Sequence, residues 1–275
     1  MVPALMIALE TACVLILAVY VRACVRDKRT LTDAAVIAAG AWIGEDTCIR
    51  AYDFYQYTDG WHLWLDRVPV MIVAIWPAVV LSARAITRAL VGAGRVPAWK
   101  LGVLTGAVVC FDAALIEPLA VNARLWTWNA PGLFGVPPVG VLGWGFFGGA
   151  VTWAQESRAR ANAFVLAPAF THLALLGSWW GALRWFHGGL SALAGTVFVA
   201  AISLVATVAI VRGSVRLATY ELLARAVATL FFAGLLALHW NAALGSYAAA
   251  FALPHLALSL GSLAGSRPWR TRDAL

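Results

Sequence analysis

The sequence predicts an all-α bundle of membrane-spanning helices. Three observations carry this reading. Apolar stretches long enough to cross a bilayer recur along the whole chain. Charged residues make up only 12% of it, whereas a soluble domain carries about a quarter. Basic residues gather in every second connection between the stretches, the pattern the positive-inside rule produces in a multi-pass protein.

A spanning helix needs about 20 mostly apolar residues. By that measure the first stretch is 4–22; it has no basic leader and no small-residue cleavage site, so it reads as a retained helix. The second and third, 31–52 and 68–90, flank an aromatic connection, and the third opens on Val68-Pro69, a proline placement that suits a first helical turn. The fourth, 99–121, holds Pro118 near its end, and the fifth, 136–154, again opens on Val-Pro. Plain apolar segments follow at 162–183, 191–211, 219–239 and 243–264. Only Trp240-Asn241-Ala242 separates the last two, so the count is nine, or eight if one of them is re-entrant.

The charges favour nine. Arg22, Arg26, Lys28 and Arg29 follow the first stretch, and Arg84, Arg88, Arg95 and Lys100 surround the third connection. Arg158 and Arg160 lie in the fifth, Arg212 and Arg216 in the seventh, and Arg267, Arg270 and Arg272 in the tail. This bias places the N-terminus outside and the C-terminus in the cytoplasm of a multi-pass membrane protein. It also accounts for the net charge of +7 without a nucleic-acid partner. The whole chain, 1–275, reads as one integral-membrane domain. Its four cysteines show no CxxC spacing, so neither a disulfide framework nor a zinc site is expected.

Within this frame one device occurs twice, over a pseudo-repeat of 31–90 and 99–154. Each copy runs from a carboxylate through an aromatic connection to Val-Pro and then a Trp: Glu45 to Trp76, and Asp112 to Trp144. With nine spans both connections, 53–67 and 122–135, lie on the same outer side. An interfacial aromatic belt explains many of the rings there, but not the acids among them.

Ionisable groups inside a membrane cost roughly 2.5–3.5 kcal/mol each at its centre, so each needs a reason. Asp46 has one in Arg50, four residues on in the same helix. Glu45, Asp112 and Glu117 have none. Asp112 and Glu117 are separated by about 7.5 Å of rise and about 140° of rotation, so on a straight helix they face different neighbours. The motifs HExxH, GxGxxG, GxxxxGK[ST] and GxSxG are missing, and the five histidines are scattered, so no metal site is expected. Acid chemistry on an apolar substrate remains. A desolvated carboxyl can protonate a C=C bond, aromatic faces stabilise the cation, and a second carboxylate activates water or removes a proton. Asp112 is expected as the donor, Glu117 as the base, and Glu45 in either role. Tyr55, Tyr57, Trp76, Trp126, Trp128 and Trp144 are expected to wall the substrate.

The succession Glu45, Tyr57-Thr58, Val68-Pro69 and Trp76 is followed by Asp112, Glu117-Pro118, Trp126-Thr127-Trp128, Gly135-Val136-Pro137 and Gly143-Trp144. It resembles the prokaryotic carotenoid-biosynthesis hydratase family, which includes the bacterioruberin-pathway C=C hydratases, over about residues 40–150. The resemblance implies a multi-span enzyme that adds water to an isoprenoid double bond without a known organic cofactor. It also implies that Glu45, Asp112 and Glu117 occupy the family's acidic positions. The chain departs from the family at 51–56, where a Gly-rich run is expected, and at Gly140, where the family carries Asn. These departures border the pocket and leave cyclisation or isomerisation of a carotenoid or terpenoid as the alternative outcome. A proton-coupled transporter or lipid-binding protein using Glu10, Asp112 and His172 is the reading from another class.

Overall fold

The computed structural model describes residues 2–25, 27–92, 94, 96–185 and 190–264. Arg26, Arg95, His187 and the basic tail residues Arg267, Arg270 and Arg272 lie outside the described residues. The chain forms helices α1 (Val2–Cys24), α2 (Lys28–Tyr52), α3 (Val70–Val91), α4 (Ala98–Asn122) and α5 (Pro138–Glu156). They are followed by α6 (Ala163–Gly181), α7 (Ala192–Arg212), α8 (Thr219–Leu238), α9 (Ala242–Ala249) and α10 (Ala252–Ala264).

Every expected stretch falls on a helix, and the ninth is broken into α9 and α10, bent by 42°. Asn241 caps α9 by accepting from the Ala243 and Leu244 amides, which fixes the break after α8. Among the described residues six helices are long and apolar enough to cross a membrane, or seven if the bent pair is one span. On composition α2 and α5 fall short. The first carries Asp33, Glu45, Asp46 and Arg50, while glycines and Gln155 dilute the second. The outer faces of α7 and α8 are apolar and exposed, as at Leu193, Phe198, Val205 and Leu230, which suits lipid as the surrounding solvent.

Small residues set the centre of the bundle. On α4, Gly102 and Gly106 oppose Gly145 and Gly149 of α5, and a Cβ on Gly106 would stand 2.6 Å from the Gly145 carbonyl oxygen. Backbones this close need glycine, and the interface is locked by van der Waals contact. Ile37, Trp76, Val80, Val109, Phe147 and Val151 pack around it. Pro118 deprives α4 of one internal bond, and the Ala114 carbonyl it frees accepts from the Tyr247 hydroxyl at 2.9 Å.

The connections hold what the sequence reading did not foresee, a small β-ribbon. Strand β1 (Tyr55–Tyr57) pairs antiparallel with β4 (Trp126–Trp128), with Tyr55 opposite Trp128 and Tyr57 opposite Trp126. A second, shorter hairpin joins β2 (Trp64–Leu65) to β3 (Val68–Pro69). Asp53 and Arg124, two residues ahead of each ribbon strand, both take a left-handed backbone, with φ of 49° and 59°. Asp53 caps α2, Arg124 follows the α4 cap Ala123, and each turns the chain into its strand. The Asn129 amide donates to Phe54 O, and the Thr58 hydroxyl donates to Arg124 O at 2.6 Å, so the ribbon is tied at both ends. The pairing fixes both aromatic connections at one end of the bundle.

Candidate active site

Strand alternation turns one side of the ribbon inward. Tyr55, Tyr57, Trp126 and Trp128 point toward the bundle, while Gln56 and Thr127 face out. The inward rings converge on two carboxylates. Glu45, on α2, accepts from the Tyr55 and Tyr57 hydroxyls on one oxygen, each at 2.5 Å, and from Trp76 Nε1 on the other at 2.8 Å. Glu117, on α4, accepts from Trp126 and Trp128 Nε1 on one oxygen, at 2.8 and 2.9 Å, and from Trp144 Nε1 on the other at 2.8 Å. All six aromatic residues expected to wall the substrate are therefore the donors that clasp the two acids.

The clasps interlock ring on ring. Tyr55 meets Trp128 with centroids 4.7 Å apart, Tyr57 meets Trp126 at 5.9 Å, and Trp76 meets Trp144 at 4.8 Å. Trp128 reaches Glu117 across Gly140, where a Cβ would lie 2.6 Å from the indole. That contact gives a physical reason for glycine at this departure from the family pattern. Burial, and after it the neighbouring Glu45 carboxyl, push the Tyr55 and Tyr57 phenols well above their ordinary value. Both keep their protons and remain donors.

Between the clasps lies a cavity of about 90 Å³. Glu45 and Glu117 both line it, with Ala41, Gly44, Gly143, Phe147, Thr171 and Leu175 among the other walls. Its volume is far below the roughly 300–1,000 Å³ that encloses a whole drug-sized ligand. Glu117 is 2% exposed.

The third expected catalytic acid sits elsewhere. Asp112 is not among the cavity's lining residues; its two oxygens face Arg225 on α8, at 2.9 and 3.4 Å, and Arg225 also donates to Ser82. The helical turn between Asp112 and Glu117 sends the two acids to different neighbours, and the acid in Glu45's place in the second device is Glu117. Asp112, expected as the proton donor, is placed by the structure in an ion pair with Arg225, away from this cavity. Asp46 pairs with Arg50 at 2.8 Å, as its spacing implies. The transporter trio is not assembled: Glu10 holds His62, Asp112 holds Arg225, and His172 packs on the Tyr52 ring with both nitrogens unpartnered. Among the described residues no group of three or more His, Cys, Asp or Glu is placed to hold a metal ion.

Sequence reasoning missed Arg225, Thr171 and Leu175. Each lies beyond the region of resemblance, on a helix whose local pattern is that of any apolar span.

The profile of a family described as carotenoid biosynthesis protein matches residues 2–210. Searches of curated proteins and of solved structures return no match. The matched region extends well beyond 40–150 on both sides and takes in both acids, all six of their donors and every cavity wall named above. This multi-pass membrane protein belongs to the carotenoid biosynthesis protein family.

Proposed function

We propose that the protein hydrates a terminal C=C bond of an acyclic carotenoid or related prenyl lipid. One observation carries the reading: two carboxylates with neutral donors only, both lining one apolar, aromatic-walled cavity. The chemistry divides between them by the nature of the donors. Indole N–H groups can only donate, so Glu117, bound by three of them, is built to accept, as a base must. Phenols both donate and accept, so Glu45 can carry a proton of its own and still keep its two tyrosines bonded.

In the proposed cycle the Glu45 O–H bond breaks and its proton goes to the less substituted carbon of the double bond. The π pair forms the new C–H bond and leaves a tertiary cation beside the rings of Trp76, Trp126, Trp128 and Trp144, whose faces attract cations. Water adds its lone pair to the cation, and the proton it releases goes to Glu117. A water in the cavity returns that proton to Glu45, so the sum is alkene plus water to alcohol. The small cavity admits the branched end of the isoprenoid and leaves the rest of the chain among the apolar helices. Following the charge bias, the aromatic end lies on the outer side of the membrane. A reporter fused after Leu275 then scores inside and one placed in 58–60 outside; the reverse at either site removes this orientation.

The test is expression in cells that accumulate an acyclic carotenoid, with product masses read out. Hydration adds the mass of one water. A product of unchanged mass and altered retention would instead mean cyclisation or isomerisation.

A further inference from the structure

The hydration reading leaves open what holds the water, and one side chain on the cavity wall has the chemistry to do so. Among the described residues that line the cavity, Thr171 is the one polar side chain outside the two clasps. It is 6% exposed, on the face of α6 that Ala167, Pro168 and Leu175 share. Its hydroxyl proton is already committed, donated to the Ala167 carbonyl at 2.7 Å. A hydroxyl has one proton and two lone pairs, so in this rotamer Thr171 Oγ1 can only accept from anything in the cavity.

A nucleophilic water needs that kind of partner. To attack carbon it must aim a lone pair at it, and acceptors that take up its protons hold it in that orientation. A carboxylate offers about four acceptor positions, and the indoles of Trp126, Trp128 and Trp144 use three of those on Glu117. Glu117, with one position left, and Thr171 line the same cavity. A hydroxyl that donated instead would occupy one of the water's two lone pairs. Back-bonding of a helical threonine is also a common packing arrangement; the cavity location and the Glu117 position left open give it a further use here.

We infer that Thr171 is a positioning residue that, with Glu117, holds the attacking water with its lone pair turned toward the cation. This inference rests on the hydration reading. Without a held water the cation has one other fate within the same chemistry: it loses a proton from a neighbouring carbon to Glu117 and re-forms a double bond, which shifts the bond and leaves the mass unchanged. The role therefore shows in product partition, which a purely structural role would not move.

The experiment uses membranes from cells that accumulate an acyclic carotenoid, incubated in water enriched in heavy oxygen. Wild type, Thr171→Val and Thr171→Ser are compared for labelled alcohol and for isomer of unchanged mass. Because the readout is a ratio of products, it does not depend on how much protein accumulates. Thr171→Val keeps the shape and loses the acceptor, and its ratio of alcohol to isomer should fall roughly tenfold, the scale of one hydrogen bond. Thr171→Ser keeps the acceptor and should hold the wild-type ratio. An unchanged ratio in Thr171→Val, or an equal fall in Thr171→Ser, overturns the role of Thr171 and leaves the hydration reading intact. Wild type giving only isomer or ring product overturns the hydration reading itself, and the water site with it.

Discussion

Asp33 and Glu117 are both nearly fully buried carboxylates, 3% and 2% exposed, and they belong to opposite kinds of polar cluster. Asp33 accepts from Arg84 at 3.2 Å and from Arg160, while Gln155 joins Arg84 to the Asp33 backbone. Glu117 has three indoles and no cation. Apart from Glu221, which accepts from the Tyr20 hydroxyl, and Glu10, which holds His62, the acids within the helices divide in the same way. Asp46, Asp112 and Glu156 have arginines, whereas Glu45 has two phenols and an indole. A guanidinium fixes a carboxylate's charge and makes it a strut. Neutral donors hold the geometry and leave the proton free to come and go. Asp33, Asp112 and Glu156 join helices through their arginines, while the two clasped acids share one cavity.

This contrast predicts different failures for the same chemical change. The largest effect belongs to Glu45→Gln and Glu117→Gln. Each keeps the side chain's shape and most of its bonding, so folded protein should accumulate normally. Turnover per molecule should fall roughly 10²–10⁴-fold, the usual contribution of a positioned acid or base. Product formation normalised to purified, folded protein checks this. Turnover near wild type in either variant would break the contrast on the clasped side.

Asp112→Asn should fail in the other way. Removing one member of a buried ion pair strands the other, at a cost of about 3–5 kcal/mol when burial is complete; the 14% and 19% side-chain exposure of Asp112 and Arg225 puts the loss below that. Thermal stability in detergent should drop, while the molecules that remain folded turn over normally. Adding Arg225→Met should recover part of the stability, because the stranded charge is then gone.

How much of this was legible in the chain follows from the distances over which each signal acts. The helices were, because length and hydropathy are local properties. So were the six aromatic residues, four of them in Tyr55-Gln56-Tyr57 and Trp126-Thr127-Trp128 soon after their acids, and Trp76 and Trp144 at the same distance after each Val-Pro. The ribbon was not, because two three-residue strands from connections far apart leave no periodicity to read. Asp112 and Glu117 both precede the second aromatic connection, and their order alone does not say which stands in Glu45's place. The acid precedes the last Trp by 31 residues in the first device and by 27 in the second, so no one shift aligns acid and Trp together. The partner that makes Asp112 a strut, Arg225, lies 113 residues away and gives no local signal.

Smaller effects sharpen the comparison. Trp144→Phe and Tyr57→Phe each keep a ring and delete one donor, from Glu117 and Glu45 respectively. Turnover should fall roughly tenfold in each, the scale of one lost hydrogen bond, with little change in membrane accumulation. An effect on accumulation alone would mean that these rings serve only as an interfacial belt. The smallest effect is expected at Asp46→Asn. Arg50 is 46% exposed and keeps Asp66 as a second partner, so the melting temperature should move by no more than an exposed pair allows, at most about 1 kcal/mol. Activity should be unchanged.

The account turns on a carboxyl proton reaching carbon, and deuterium oxide reads that step directly. In wild-type membranes supplied with an acyclic carotenoid, the alcohol formed should carry one deuterium on the carbon next to the new carbinol. Asp112→Asn should form the same labelled product per folded molecule, and Glu45→Gln roughly a hundredth of it or less. An alcohol without solvent-derived deuterium on that carbon, or labelled product undiminished in Glu45→Gln, would contradict protonation by the clasped acid.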